Sequence, residues 1–218
     1  MSKNIAVLFD LDGTLIDSNE IIIESYQTVL KKHIPEEVFS REKIISFIGP
    51  TLHQVFLNYR SPDVVEKMIE DYRTHYKANE DKTIALYPGV VNGLKALKAL
   101  GAKLSIVTSK YKSGAWHSFT HFGLDPYFDA FVALDDVQQP KPDKEPVEVA
   151  LKRLGGADWA IMIGDNPGDI QAGQNAQIAS GGVAWSIKGP ALLNTYHPDY
   201  LFETMDEIVD LVKSKLGV

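Results

Sequence analysis

Apolar and polar positions alternate between two patterns along this chain. The first run, Ile5 to Phe9, is unbroken and apolar, as a strand buried on both faces should be, and it stops abruptly at Asp10. From about Asp17 to Ile84 the apolar positions recur at helical spacing only. Ile22, Tyr26, Val29 and Leu30 share one face of a helix that Asp17 and Ser18 can cap and that stops before Pro35. Ser40 caps a second helix carrying Ile44, Ile45 and Ile48 and ended by Gly49. Thr51 with Gln54 forms a capping-box pattern for a third, through Leu52, Val55 and Phe56. Ser61-Pro62 opens a fourth, with Val64, Val65, Met68, Ile69, Tyr72 and Tyr76 on its stripe.

After Tyr87-Pro88-Gly89 the pattern changes. Val91, Leu94, Leu97 and Leu100 form a helix closed by Gly101. Short apolar runs at 104–108, 130–134, 159–163 and 180–185 then alternate with amphipathic stretches. Such a series predicts a parallel sheet with right-handed crossovers. The fold class is therefore α/β, a Rossmann-like open parallel sheet with helices on both faces, interrupted by an all-helical insert. Residues 1–15 and 87–218 form the sheet domain, and 16–86 form the helical cap.

Composition narrows the role. The 218 residues carry a net charge of −7 and no cysteine. A basic nucleic-acid footprint is missing, so nucleic acid is not the expected partner. Disulfides and thiolate metal sites are excluded. No run is long enough to span a bilayer, and the first apolar run, cut by Asp10 and Asp12, does not read as a signal peptide. A cytoplasmic enzyme is expected. Oligomeric state is not legible in the sequence.

Ligands of open α/β sheets bind at the carboxyl ends of the strands, and the residues after each run are polar. Asp10 and Asp12 follow the first; Thr108, Ser109 and Lys110 the second; Asp135, Asp136 and then Lys141 the third; Asp165 and Asp169 the fourth. Two carboxylates one residue apart at a buried strand end suit a nucleophile on phosphorus and an acid/base beside it. Gly13 allows the backbone to approach closely, and amides in that turn can hold phosphate oxygens. Asp165 and Asp169 supply hard oxygen ligands for Mg²⁺, although Asp169 equally suits a helix cap. Thr108 and Ser109 can clamp phosphate or simply cap. Lys141, fixed between Pro140 and Pro142, reads as a positioned ammonium. His117 and His121, four apart on a helix, fit packing or solvent-facing roles better than a metal pair.

These four stretches resemble, in order and on matching elements, the motifs of haloacid dehalogenase superfamily phosphohydrolases: DLDGT, the Thr after the second strand, KPD, and GDNPGD. The resemblance covers the whole chain, and the insert resembles that family's helical cap of the first type. It implies Asp10 as nucleophile and Asp12 as general acid/base. It also implies Thr108 and Ser109 on phosphate, Lys141 as charge neutraliser, and Mg²⁺ held by Asp10, the Asp12 backbone carbonyl, Asp165 and Asp169. The stretches 47–52, 134–147, 163–176 and 182–190 are further similar to the superfamily's small bacterial inorganic pyrophosphatases, which are associated with dephosphorylation of the seryl-phosphorylated phosphocarrier protein HPr. Phosphoglycolate phosphatases share much of the pattern. Pro140 departs from it, standing where many relatives have a small residue, and so does Lys144-Glu145-Pro146.

The expected substrate is a small phosphorylated molecule, foremost pyrophosphate, with phosphoglycolate or a general metabolite phosphate as alternatives. A phosphomutase would keep every core residue. A dehalogenase needs neither Asp12 nor the magnesium pair, and a receiver-like signalling module lacks the cap. An anionic leaving group calls for a second cation, for which Lys188, Lys110 and His53 are candidates. Gly49, Pro50 and Thr51 of the cap are expected to face the leaving group.

Overall fold

The computed structural model describes residues 3–218. Its order is β1 (Ile5–Phe9), β2 (Ile16–Asp17), α1 (Asn19–His33), α2 (Arg41–Ile45), α3 (Leu52–Phe56), α4 (Pro62–Thr83), β3 (Ala85–Leu86), α5 (Val90–Ala99), β4 (Lys103–Val107), α6 (Lys112–His121), β5 (Ala130–Val132), α7 (Glu145–Arg153), β6 (Trp159–Gly164), α8 (Pro167–Asn175), β7 (Ala179–Val183), α9 (Pro190–Asn194), β8 (Tyr200–Phe202) and α10 (Met205–Leu216). Six strands form one sheet in the order β5-β4-β1-β6-β7-β8, every pair parallel. β1 lies centrally, and all five of its residues are buried, which explains why it carries no polar position. From β1 the chain winds outward through β4 and β5, then returns to β6 on the other side. The order reverses at the carboxyl end of β1, where an open α/β sheet leaves its crevice.

Helices α1–α4 form the cap over that end. Tyr26 packs against Phe47, Phe56 and Tyr72 with ring centroids 5.0–5.6 Å apart. Each such ring, on burial, contributes on the order of 2 kcal/mol. Local signals act as read: Ser40 accepts from Lys43 N, the Thr51–Gln54 box forms in both directions, and Pro62 opens α4. The two crossings between sheet and cap run side by side as an antiparallel pair, Ile16 opposite Leu86 and Asp17 opposite Ala85.

Several local expectations need correction: α2 ends at Ile45, short of Ile48, and the last of the four runs is strand only from Ala179 to Val183. The run at 130–134 is strand only to Val132. The Asp136 carboxylate accepts from Ala133 N, so a 3₁₀ turn at Leu134–Asp136 replaces the ladder. Asp135 and Asp136 are thereby spent on Lys112 N and Arg153 rather than facing the crevice. At α1, Ser18 occupies the N-cap position, yet its hydroxyl donates to Asp12 Oδ1 at 2.6 Å, and it is Asp17 Oδ1 that accepts from Asn19 N. Among the described residues no helix is long and apolar enough to cross a membrane.

Candidate active site

The sheet's hydrogen-bond ladder places the first two site residues. Asp10 N still donates to Ile163 O, and Thr108 N to Val132 O, so each is the first residue beyond its strand but held at strand spacing. Lys141 arrives from the loop before α7. Its Nζ donates to Asp10 Oδ1 at 2.8 Å, Asp169 Oδ1 at 2.6 Å and Val107 O at 2.9 Å. One buried ammonium therefore ties together β1, β4 and α8. Burial alone would lower its pKa, but the Asp10 and Asp169 carboxylates outweigh that and raise it, so Lys141 stays charged.

Asp165, at the end of β6, is fully buried. Its Oδ1 accepts from Asn166 Nδ2 at 2.9 Å and from Thr14 Oγ1 at 3.4 Å, and Ser186 Oγ donates to its backbone carbonyl. Its Oδ2 is buried with no hydrogen-bond partner among the described residues. Asp169 does two jobs at once: Oδ1 takes Lys141, while Oδ2 accepts from Asn166 N at the start of α8. Gly13 approaches Asp165 with φ +84, and a Cβ there would run into the Asp165 carboxylate. Glycine is required at this turn on both counts.

Carboxylate oxygens of Asp10, Asp165 and Asp169 lie within 4.8 Å of one another. Burial raises Asp165 well above the ordinary carboxylate range, and the Asp10 and Asp169 charges add to it. Burial likewise raises Asp10 from 3.8 to about 7, against the pull of Lys141. Three buried carboxylates facing one ammonium, with an oxygen left without a donor, form a set that fits a hard divalent cation.

Asp12 faces the cap. Besides Ser18, its Oδ1 is approached by Lys110 Nζ at 3.3 Å and by Tyr76 Oη at 3.5 Å. Lys110 in turn donates to Tyr76 Oη at 2.9 Å. Burial would lower Lys110; Asp12 and Tyr76 outweigh it and raise its pKa. Ser18 and Tyr76 were not legible as site residues. Ser18 reads as a helix cap, although its partner Asp12 lies only six residues back, and Tyr76 reads as the last member of an apolar stripe, whose spacing does not reveal Lys110 in a distant segment.

The remaining candidates line the same cleft, about 1390 Å³ between sheet and cap. Thr108 is buried and its Oγ1 accepts from Lys110 N; Ser109 is half-buried beside it. Lys188 Nζ donates to Ile48 O at 2.6 Å, reaching from the loop after β7 into the cap. Burial lowers its pKa, with Asp165 and Asp169 opposing. Gly49 follows with φ +108, pressed so closely on Asn166 that a Cβ would lie 2.7 Å from Oδ1. Thr51 spends its hydroxyl on Gln54. His53 is paired at 2.7 Å with Glu66 on the cap.

A family model described as haloacid dehalogenase-like hydrolase matches residues 7–183. The chain is 43% identical over 211 residues to a pyrophosphatase PpaX from Bacillus velezensis, covering 96% of this chain and 97% of that protein. A pyrophosphatase PpaX from Listeria monocytogenes is 40% identical over 214 residues, 98% of each chain. The crystal structure of a predicted phosphatase from Clostridium acetobutylicum aligns with a TM-score of 0.85 at 30% identity, covering 98% of this chain and all of that one. A predicted phosphoglycolate phosphatase from Haemophilus somnus, at 24% identity and a TM-score of 0.81 over 97% of this chain and 99% of its own, shares the fold. Because the family match runs from β1 through β7, and relatives align along nearly their whole length, the chain belongs to the haloacid dehalogenase-like hydrolases.

Proposed function

We propose that this hydrolase is a Mg²⁺-dependent phosphatase that works through an aspartyl phosphate on Asp10 and acts on inorganic pyrophosphate. The observation that carries the reading is the buried Asp10 carboxylate, held by Lys141 at the rim of the sheet beside Asp165 and Asp169. In this reading Asp10, Asp165, Asp169 and the Asp12 carbonyl hold the magnesium ion, which when bound screens phosphoryl charge.

An oxygen of Asp10 attacks phosphorus, and the bond from phosphorus to the leaving oxygen breaks. Asp12 passes its proton to that oxygen. Asp12 then takes a proton from water, whose oxygen attacks the phosphoryl group; phosphate leaves and the Asp10 carboxylate is restored. Ser18, Lys110 and Tyr76 hold Asp12 by Oδ1, which supports a reading in which the travelling proton sits on Oδ2. Lys141, Thr108 and Ser109 neutralise and orient the phosphoryl oxygens, and catalysis is mainly positioning and charge stabilisation.

Pyrophosphate is favoured because its leaving group is itself phosphate. Lys110 and Lys188 line the cleft with cationic ends on the cap side. Relatives of 40% identity and above carry the name pyrophosphatase. Phosphate release is measured with and without Mg²⁺ from pyrophosphate, phosphoglycolate and glucose 1-phosphate. The expected result is Mg²⁺-dependent turnover with the highest kcat/KM on pyrophosphate, abolished in Asp10→Asn. Lys188→Ala should raise KM for pyrophosphate and spare p-nitrophenyl phosphate. Preference for phosphoglycolate, equal weak rates on all three, or glucose 6-phosphate formed without free phosphate would replace the substrate assignment. Near-normal activity of Asp10→Asn would overturn the mechanism.

A further inference from the structure

A second set of donor atoms lies where the end of α4 meets α6. Asp81 sits in the last turn of α4. His117 and His121 stand one turn apart on α6 and so share a face. His117 Nε2 is 2.8 Å from Asp81 Oδ1, and His121 Nδ1 is 3.7 Å from the same oxygen. All three donor atoms lie within 4.8 Å of one another. In a tetrahedral zinc site with bonds near 2.0–2.1 Å, neighbouring donors are about 3.3 Å apart. The two measured separations bracket that value, so modest side-chain rotation completes the geometry, with water as the fourth ligand. Glu80, buried, brings Oε1 to 3.6 Å from the same His117 nitrogen and adds negative charge behind the pair. The side chains of Asp81, His117 and His121 are 54%, 49% and 38% exposed, so an ion can enter without unfolding.

The donor chemistry differs from that of the Asp10 cluster. Two imidazoles and one carboxylate suit a borderline-soft transition cation, whereas an all-carboxylate set suits magnesium. We propose that Asp81, His117 and His121 form a binding site for a divalent cation of the zinc class, bridging the cap to the sheet domain. Asp81 comes from the cap helix and both histidines from α6, so an ion held by all three pins these helices together at the edge of the cleft that His117 also lines. The site is independent of which phosphate compound the enzyme hydrolyses.

Zinc is titrated into the full chain in saturating Mg²⁺, in competition with a chromophoric zinc chelator. The wild type should take up one equivalent. Asp81→Asn and His121→Ala should each weaken binding about tenfold or more, as expected for loss of a ligand. Both positions are exposed, so both variants should keep the wild-type circular dichroism and zinc-free melting temperature. Ring ¹H–¹⁵N spectra of the wild type supply a check that needs no variant: zinc should shift His117 and His121 but not the remaining four of the six histidines. Failure to compete with the chelator, unchanged affinity in both variants, or shifts confined to other histidines would each overturn the proposal.

Discussion

Lys141→Met removes one buried charge and the three hydrogen bonds it donates, to Asp10, Asp169 and the Val107 carbonyl. The methionine side chain fills a similar volume, but Asp10 and Asp169 lose their shared ammonium at 2.8 and 2.6 Å in a site where all three side chains are buried. Removing one partner of a buried ion pair costs about 3–5 kcal/mol, because the other charge stays behind without compensation. In a chain of this size each kcal/mol moves the melting temperature by about 2–4 °C, so a fall of roughly 10 °C is expected in metal-free buffer at pH 8. The cost must shrink with acid. Burial already raises Asp10 to about 7, and without the pull of Lys141 it rises further. At pH 5 the folded variant therefore escapes much of the penalty by binding protons that the unfolded chain, with carboxylates near 4, has largely released. Asp10→Asn in the Lys141→Met background should recover part of the loss, since one of the stranded charges is gone. Turnover should fall at least about 10²-fold in Lys141→Met, the usual cost of losing a group aimed at developing charge. The assay is differential scanning calorimetry of the four proteins of this cycle at pH 5 and pH 8, without metal. A fall of less than about 2 °C at pH 8, a larger effect at pH 5, or strict additivity with Asp10→Asn would refute the view that Lys141 exists to neutralise these carboxylates.

Other outcomes follow from the same cluster. Without metal, the raised carboxyls of Asp165 and Asp10 hold protons that the unfolded chain gives up, so their contribution to stability is present below about pH 4; that of Asp10 is lost as pH rises through about 7, and that of Asp165 as pH rises through its own raised pKa. Mg²⁺ displaces those protons, and its stabilising shift, read by thermal melts, should be larger at pH 8 than at pH 5; an equal or inverted shift contradicts this. At alkaline pH, where Asp165 has lost its proton, Asp165→Asn removes a buried charge whose Oδ2 has no hydrogen-bond partner among the described residues. It should melt higher than wild type in metal-free buffer while losing the Mg²⁺-induced shift, and a lower melting temperature would count against a metal role for Asp165. Gly13→Ala places a methyl group against Asp165 at φ +84, and urea denaturation should show a loss of about 1–3 kcal/mol from backbone strain alone. Wild-type stability in that variant would mean that the turn relaxes freely.

What could be read directly from the chain was whatever rests on neighbours within a few residues. The buried run of β1 ending at Asp10, the Thr51–Gln54 box, the Pro62 helix start and the alternation of strand and helix after Gly89 are all local, because periodicity, capping and turn chemistry act over one or two turns. From these the parallel sheet follows, and with it the rule that polar residues after successive strands share one edge. Contacts between distant segments were decided only by the packed fold. Tyr76 keeps its place on the apolar stripe of α4 but turns its hydroxyl to Lys110, Asp135 and Asp136 are drawn off by Lys112 N and Arg153, and Asp81 meets the α6 histidines; even Ser18, six residues from Asp12, turns to it only because the turn after β1 brings the two together. The two-residue pair of β2 with β3 and the three-residue β8 are too short to show any period. A side chain at such a position has several partners within reach of its rotamers, and which one it takes depends on where the sheet and cap place the other segment, information that no local spacing carries.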